Sequence, residues 1–423
     1  MATADQRLDL RTLIDAAEAA PPIDAVDVLA SVLAEVLGAS HVSLLIANFS
    51  GTAVMRMSHV SSGHALGNGR NERAQEIPLA GTIYERVLFR QELEIAEDGD
   101  GWLLLVPVTE RGDAIGLLEL RVPTHPDDDA IAYLVSAAHA LAYVLIASRR
   151  HTDLFEWAQR DVPFSLAAEI QRRLLPSSYT IEGGPFTIAG WLEPAHNAGG
   201  DTFDYSIDRE HLYASITDAM GHSTDAALLA TLIVNSLRNN RRALGSLAEQ
   251  AEAANRALLA HADPDQFVTG QLLRIRLADG AAELVNAGHP QPLLLRNGRA
   301  AELDVVADAA FGVGATAYQA QVLQLEPGDR LLLVTDGFLE RKAVRLDIAQ
   351  ILVTTVDRHP RQIVRELAER VLQVTGGNLR DDATVLCIDW YGSAGERDAT
   401  GGASRSRVTV TTPLTPWPTS RRA

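Results

Sequence analysis

Two aspartates placed symmetrically about a short turn constrain this chain more than any other feature. In AGGDTFDYSIDREHLYASITDAMGH, the runs Thr202 to Ile207 and Leu212 to Thr217 read as strands, with a turn near Arg209 and Glu210. Asp201 and Asp218 lie equidistant from that turn, to within one residue of register. Directly opposed residues of an antiparallel pair have Cα atoms only ~4.5–5.5 Å apart. Two like charges that close destabilise the pair unless a cation lies between them. The hairpin therefore points to a metal site. Gly199 and Gly200 precede Asp201, and Gly221 follows Asp218 by three residues. Glycine lets backbone approach a ligand closely and expose its carbonyls. Hard oxygen donors without cysteine favour magnesium or manganese over zinc.

The rest of the composition narrows the field. At 423 residues the chain is long enough for two or three domains. A formal net charge of −18 repels a phosphate backbone, so nucleic acid is not the expected partner. The single cysteine, Cys387, excludes an internal disulfide and a thiolate-rich zinc site. It lies in the apolar run ATVLCIDW with no phosphate-cradling loop around it, which reads as a buried strand residue and not a nucleophile. The start MATADQRLDL has no apolar core for export. The longest apolar stretch, about 134–148, contains His139 and falls short of the ~20 residues that span a bilayer. The expectation is a cytoplasmic protein with no membrane insertion.

Three regions separate by pattern. In the first, Asp24 to Leu37 carries Val28, Leu29, Val32, Leu33 and Val36 at helical spacing, with Gly38 as the stop. Strand-like runs His41 to Phe49 and Thr52 to Val60 meet at Ser50 and Gly51, and a short helix spans Gly81 to Phe89. WLLLVPVTE and AIGLLELRV flank Arg111-Gly112-Asp113, a hairpin signal. This order is α+β with an antiparallel sheet. It resembles a GAF sensory domain over residues 20–148, although a PAS-like domain has a similar order. No cysteine is present there to tether a chromophore, and no cyclic-nucleotide signature is visible. A small-molecule or protein signal is what the resemblance implies.

Residues 149–176 read as a helical linker. Before it, Ile131, Leu134, Ala138, Leu141 and Leu145 follow a 3-4-3-4 spacing that suits either packing on a partner helix or a domain-closing helix. Pro163 breaks the helix, Asp161 is a fair N-cap for the next, and SLAAEIQRRLL ends at Pro176. Residues 177–391 alternate strands with helices at Thr224 to Arg242 and Arg361 to Val374, with turns at Asp279-Gly280 and Asn297-Gly298. Residues 392–423, rich in Gly, Ser, Thr, Pro and Arg, read as a flexible tail.

Two further carboxylates stand at the ends of apolar strands, where a sheet presents chemistry while its middle stays apolar. RLLLVTDG delivers Asp336, followed by Gly337, and DDATVLCIDW opens with Asp381 and Asp382. Singly, each fits a strand-end cap or a turn. Four carboxylates in such settings fit that reading poorly. His222 suits a place just outside the metal ligands or helix N-terminal packing as well as it suits acid catalysis, His289 in NAGHPQP suits a structural hydrogen bond, and His196 has no further support.

In order, AAEIQRRLLP, AGGDTFDY, ITDAMGHSTDAALLA, VNAGHPQPLLL, LEPGDRLLLVTDGFLE and DDATV resemble the SpoIIE-type bacterial members of the PPM serine/threonine phosphatases, over about 165–390. The resemblance implies an αββα sandwich around a binuclear Mn²⁺ or Mg²⁺ centre. It implies that Asp218 bridges both ions, that Asp336 and Asp381 bind one, and that Asp201 and the Ala219 carbonyl bind the other. It places Asp204, His222, Gly337 and Asp382 just outside the ligands, and makes the helix holding Gln171 and Leu174 a switch. The implied substrate is a phosphoserine or phosphothreonine on a STAS-domain anti-sigma-factor antagonist, with the enzyme a homodimer. Gly221-His222-Ser223 departs from the usual Gly-His-Gly, and the phosphate-binding arginine of eukaryotic relatives has no counterpart. The alternatives are a catalytically silent module of the same fold and a different metal-dependent hydrolase.

Overall fold

A computed structural model of the chain describes residues 9–57, 60–61, 75–160, 164–195, 199–243, 245–314, 317–339, 346–377 and 379–393. The chain divides into two compact units between Leu166 and Ala167. Asp161, Pro163, His196 and nearly all of the expected tail fall outside the described residues.

The first unit runs α1 (Leu10–Ala19), α2 (Ala25–Leu37), β1 (His41–Ala47), β2 (Ala53–Arg56), β3 (Val60–Ser61), β4 (Gln75–Pro78), α3 (Ile83–Arg90), β5 (Glu94–Asp98), β6 (Gly101–Glu110), β7 (Asp113–Val122), α4 (Asp128–Ser148) and α5 (Leu154–Ala158). Its sheet has the order β4-β2-β1-β7-β6-β5, with β3 also on β1. Helices α1, α2 and α4 cover one face, and α3 packs on the other. The β6–β7 loop is two residues long, with Arg111 at φ 45° and Gly112 at φ 88°, the twist a tight hairpin prefers. Gly38 closes α2 in the left-handed region.

Four expectations change here. Helix α1, capped by the Asp9 side chain, buries Leu13 and Ala17, so the folded unit begins before residue 20. Helix α2 buries Val26, Leu29, Ala30 and Leu33 and leaves Val36 exposed, so its inward stripe is rotated from the one expected. Leu134, Ala138, Leu141 and Leu145 of α4 all enter the unit's own core, which makes α4 a domain-closing helix. At 21 residues α4 is also long and apolar enough to cross a bilayer by length and composition alone, unlike the shorter run expected; here it packs on its sheet.

The second unit runs α6 (Leu166–Leu174), β8 (Thr180–Glu182), β9 (Phe186–Glu193), β10 (Asp201–Ile207), β11 (His211–Ala219), α7 (Ser223–Arg242), α8 (Leu247–His261), β12 (Val268–Arg276), β13 (Ala281–Ala287), β14 (Leu293–Arg296), β15 (Arg299–Glu302), β16 (Ala307–Asp308), β17 (Gln321–Gln324) and β18 (Arg330–Val334). A 3-10 turn (Asp336–Phe338), α9 (Ile348–Thr354), α10 (Pro360–Thr375) and β19 (Ala383–Trp390) complete it. One sheet is β10-β11-β12-β13-β16 with β17 on β13, and the other is β15-β14-β18-β19-β9-β8. Inward residues of both, among them Phe203, Ile216, Leu273, Leu333, Leu386 and Ile388, form a shared core. Helices α7 and α8 cover the outer face of the first sheet, and α9 and α10 that of the second. The result is a four-layer αββα sandwich. Asn297 and Gly298, both at positive φ, turn β14 into β15 as their dipeptide predicts.

One contact in this sandwich left no sequence signal. Arg330 on β18 is fully buried and donates from Nε and Nη2 to Asp389 on β19 at 2.6 and 2.8 Å. Its remaining hydrogens reach the carbonyls of Thr355 and Arg358, which ties the segment after α9 to the sheet. Removing one member of a buried pair strands the other charge and destabilises by about 3–5 kcal/mol. Asp389→Ala is expected to lower the unfolding free energy of the second unit by that amount in a urea titration followed by circular dichroism.

Candidate active site

The β10–β11 register pairs Asp201 directly with Asp218. The turn sets it: Asp208 Oδ1 accepts the backbone N–H groups of Glu210 and His211 at 2.8 and 2.7 Å, fixing a three-residue loop. Asp201 is 2% exposed, and its Oδ2 accepts the Thr335 hydroxyl at 2.7 Å. Burial first, and the facing Asp218 carboxylate next, hold the Asp201 pKa well above the ordinary range. Asp218 is also pushed up, by burial and then by the negative charges of Asp336 and Asp381. The strand ends of the second sheet thus aim negative potential at the pair on the first.

The glycines have specific work. A Cβ on Gly200 would stand 2.4 Å from the Ala219 carbonyl oxygen, and one on Gly199 would stand 2.5 Å from the carbonyl of Ser223. Any side chain there would push the start of β10 off the end of β11. A Cβ on Gly337 would likewise meet the Asp382 carbonyl at 2.1 Å, so Asp336 and Asp381 are held on closely packed segments. Ser223 adopts φ 61° where the resemblance expects glycine, so the departure sits on a left-handed backbone.

The doubled aspartates differ in kind. Asp382 is 2% exposed and spends its carboxylate on the N–H groups of Ala195 and Gly199, at 2.8 and 3.1 Å, and on Gln171 Nε2 at 2.6 Å. Asp381 is exposed and lies within electrostatic reach of Asp218. Structure therefore separates two residues that sequence could order only by motif. Gln171 Nε2 also donates to the Asp201 carbonyl at 2.9 Å, so one buried amide touches β10 and the segment leading into β19 together. Leu174 packs with Ile233 and Val234 of α7.

Two expected neighbours stand elsewhere. Asp204 faces the helix layer, since three residues along a strand reverse the side-chain direction. Its carboxylate accepts Arg238 at 2.9 Å and Arg241 at 3.2 Å, and Arg238 reaches on to the Leu174 carbonyl at 2.6 Å. Asp204 thereby anchors the end of α6 to α7, away from the aspartate pair. His222 is exposed at the N-cap of α7, and its ring lies 3.2 Å from the Ser223 hydroxyl. His289 is buried, with Nδ1 2.9 Å from Thr269 Oγ1. Sequence reasoning missed Thr335 and Thr269; the first stands immediately before Asp336 and could have been read as a strand-end donor.

Among the described residues, no three His, Cys, Asp or Glu side chains converge closely enough to encircle one ion as they stand. The donor set nonetheless suits a hard cation: all oxygen, mutually repelling, and partly buried.

The strand-end aspartates of the two sheets, brought within electrostatic reach of one another in an αββα sandwich, form the candidate site. Residues 208–391 match the family model for Stage II sporulation protein E (SpoIIE). The phosphoserine phosphatase RsbU of Bacillus subtilis (strain 168) is 21% identical over 234 residues, covering 53% of this chain and 68% of that protein. A structure of the RsbU and RsbW domains of a Mycobacterium tuberculosis protein shares 25% identity at a TM-score of 0.46, over 51% of this chain and 62% of that one. The SiaA-PP2C domain of Pseudomonas aeruginosa shares 23% identity at a TM-score of 0.44, over 52% and 93%.

The raised aspartates fix a pH dependence. A carboxylate whose folded pKa exceeds its unfolded value stabilises the fold below the unfolded pKa and loses that contribution as pH rises through the folded one. With Asp218 raised to about 7 from 3.8, the metal-free chain is expected to lose stability between about pH 4 and pH 7. Metal-free Asp218→Asn should show a shallower loss over that window when thermal unfolding is followed against pH.

Proposed function

We propose that the chain is a metal-dependent protein serine/threonine phosphatase acting on a phosphoserine or phosphothreonine of a regulatory protein. The observation that carries this reading is the direct pairing of Asp201, buried, with Asp218, half-buried, two carboxylates that a cation would allow to ionise together. Asp218, Asp336, Asp381, Asp201 and the Ala219 carbonyl are the groups that would hold Mn²⁺ or Mg²⁺ ions here. A bound ion pair supplies hydroxide at neutral pH and neutralises charge on the phosphoryl oxygens. Thr335 holds the Asp201 carboxylate in place, Asp382 spends its charge on backbone to fix the Asp381 segment, and Gly200 brings the Ala219 carbonyl to the site.

The substrate class is a STAS-domain anti-sigma-factor antagonist, as the motif resemblance implies; the name of the RsbU relative supports a phosphoserine substrate and no more. The first unit, from α1 through α4, acts as a GAF-like sensor, and the protein works as a cytoplasmic homodimer. Gln171 is the natural point of control, because loss of its contacts to the Asp201 carbonyl and Asp382 loosens both halves of the site at once. The open spacing of the carboxylates favours one second reading, a catalytically silent module of the same fold.

Hydrolysis of p-nitrophenyl phosphate and of phosphorylated STAS proteins, with and without Mn²⁺, separates the two. Metal assistance is worth several kcal/mol, so Asp218→Asn should reduce the rate at least about 100-fold. A wild-type chain that binds Mn²⁺ yet hydrolyses neither substrate supports the silent module. Gln171→Ala removes a hydrogen bond to a buried charge, worth about 1.5–3 kcal/mol. It should change the rate while Mn²⁺ still binds in calorimetry; unchanged activity sinks the switch.

A further inference from the structure

The layer between the two sheets is apolar except at the end carrying the aspartates. There Thr335, Gln271, Asn286 and His289 are buried together with Asp201. His289 is tightly seated: its backbone N–H donates to Asn286 Oδ1 at 2.8 Å, and Asn286 Nδ2 returns a hydrogen bond to its carbonyl at 3.0 Å. Gln271 Nε2 fixes the next residue by donating to the Pro290 carbonyl at 2.6 Å. The ring then spans the gap. Nδ1 meets Thr269 Oγ1 at 2.9 Å, and Thr269 is the direct partner of Asp218 on the neighbouring strand.

The other nitrogen, Nε2, is buried without a hydrogen bond of normal geometry, although the Val334 backbone on the opposite sheet acts on the ring as an acceptor. Val334 precedes Thr335, whose hydroxyl holds Asp201. One imidazole therefore stands between the supports of both aspartates. Burial lowers its pKa to about 3, so the ring is neutral, with one nitrogen donating and the other accepting. A Thr269 hydroxyl donating to Nδ1 leaves the Nε2 hydrogen facing the Val334 strand.

We propose that His289 is a positioning residue for the metal pair, a strut that through Thr269 sets the place from which Asp218 projects. This rests on the phosphatase reading above. Removing such an outer contact to a ligand weakens metal binding about 10–100-fold.

The test is calorimetric Mn²⁺ titration of the full chain, with melting of the metal-free protein recorded in parallel. His289→Phe and Thr269→Val should each lower Mn²⁺ affinity in that range. His289→Asn, which keeps an acceptor near the Nδ1 position, should recover most of it. The His289→Phe/Thr269→Val double variant should bind no worse than the weaker single one, since both remove the same link. If His289→Phe fails to fold, Thr269→Val and His289→Asn carry the comparison. Wild-type affinity in these variants, or losses that add, overturns the strut. A long-range nitrogen spectrum of the metal-free chain should show His289 neutral with its hydrogen on Nε2; the opposite tautomer contradicts it. A wild-type chain that binds no Mn²⁺ overturns the phosphatase reading first and this inference with it.

Discussion

Two carboxylates facing each other on adjacent strands, one buried and one half-buried, are the constraint on which the second unit turns. Left alone, Asp201 and Asp218 repel, and the metal-free fold meets that repulsion by holding protons there. The surroundings are arranged around this conflict. Thr335 donates to Asp201 from the opposite sheet, Gly199 and Gly200 leave no room for side chains beside it, and Gln171 clasps its carbonyl. Each contact fixes where the charges sit without neutralising them. A cation bound between them would relieve the repulsion that the protein backbone imposes.

The same economy separates residues of one type by environment. Asp382 and Asp381 are neighbours in sequence, yet the first is consumed by two backbone N–H groups and an amide while the second stays exposed. Asp204, three residues from Asp201, lies in the helix layer as an anchor for two arginines. Alternation along a strand, more than distance along the chain, decides which carboxylates meet.

Much of this was readable in sequence where a local rule is strict. The Asp201–Asp218 register follows from equal distance to a turn, and Gly38, Arg111-Gly112 and Asn297-Gly298 announce their left-handed positions. Helix α8 carried its own sign in the capping box of Ser246 and Glu249, which pattern reading passed over because its apolar face is largely alanine. Other features had no local sign. The Arg330–Asp389 pair joins residues 59 apart in sequence, and the inward stripe of α2 depends on which helices it meets. Thr269 and His289 are linked only because β12 and β13 are neighbours. Polar contacts across the sandwich are decided by packing, which a single sequence states only in its motifs.

Whether the four aspartates surround a cation pair is decided in the metal-bound protein. Anomalous diffraction from a Mn²⁺-soaked crystal tests it most directly. The account predicts two peaks bridged by the Asp218 carboxylate, one beside Asp201 and the Ala219 carbonyl, the other beside Asp336 and Asp381. Metal density at Asp382 or Asp204, or a well-ordered site with no peak at Asp218 in saturating Mn²⁺, would contradict it.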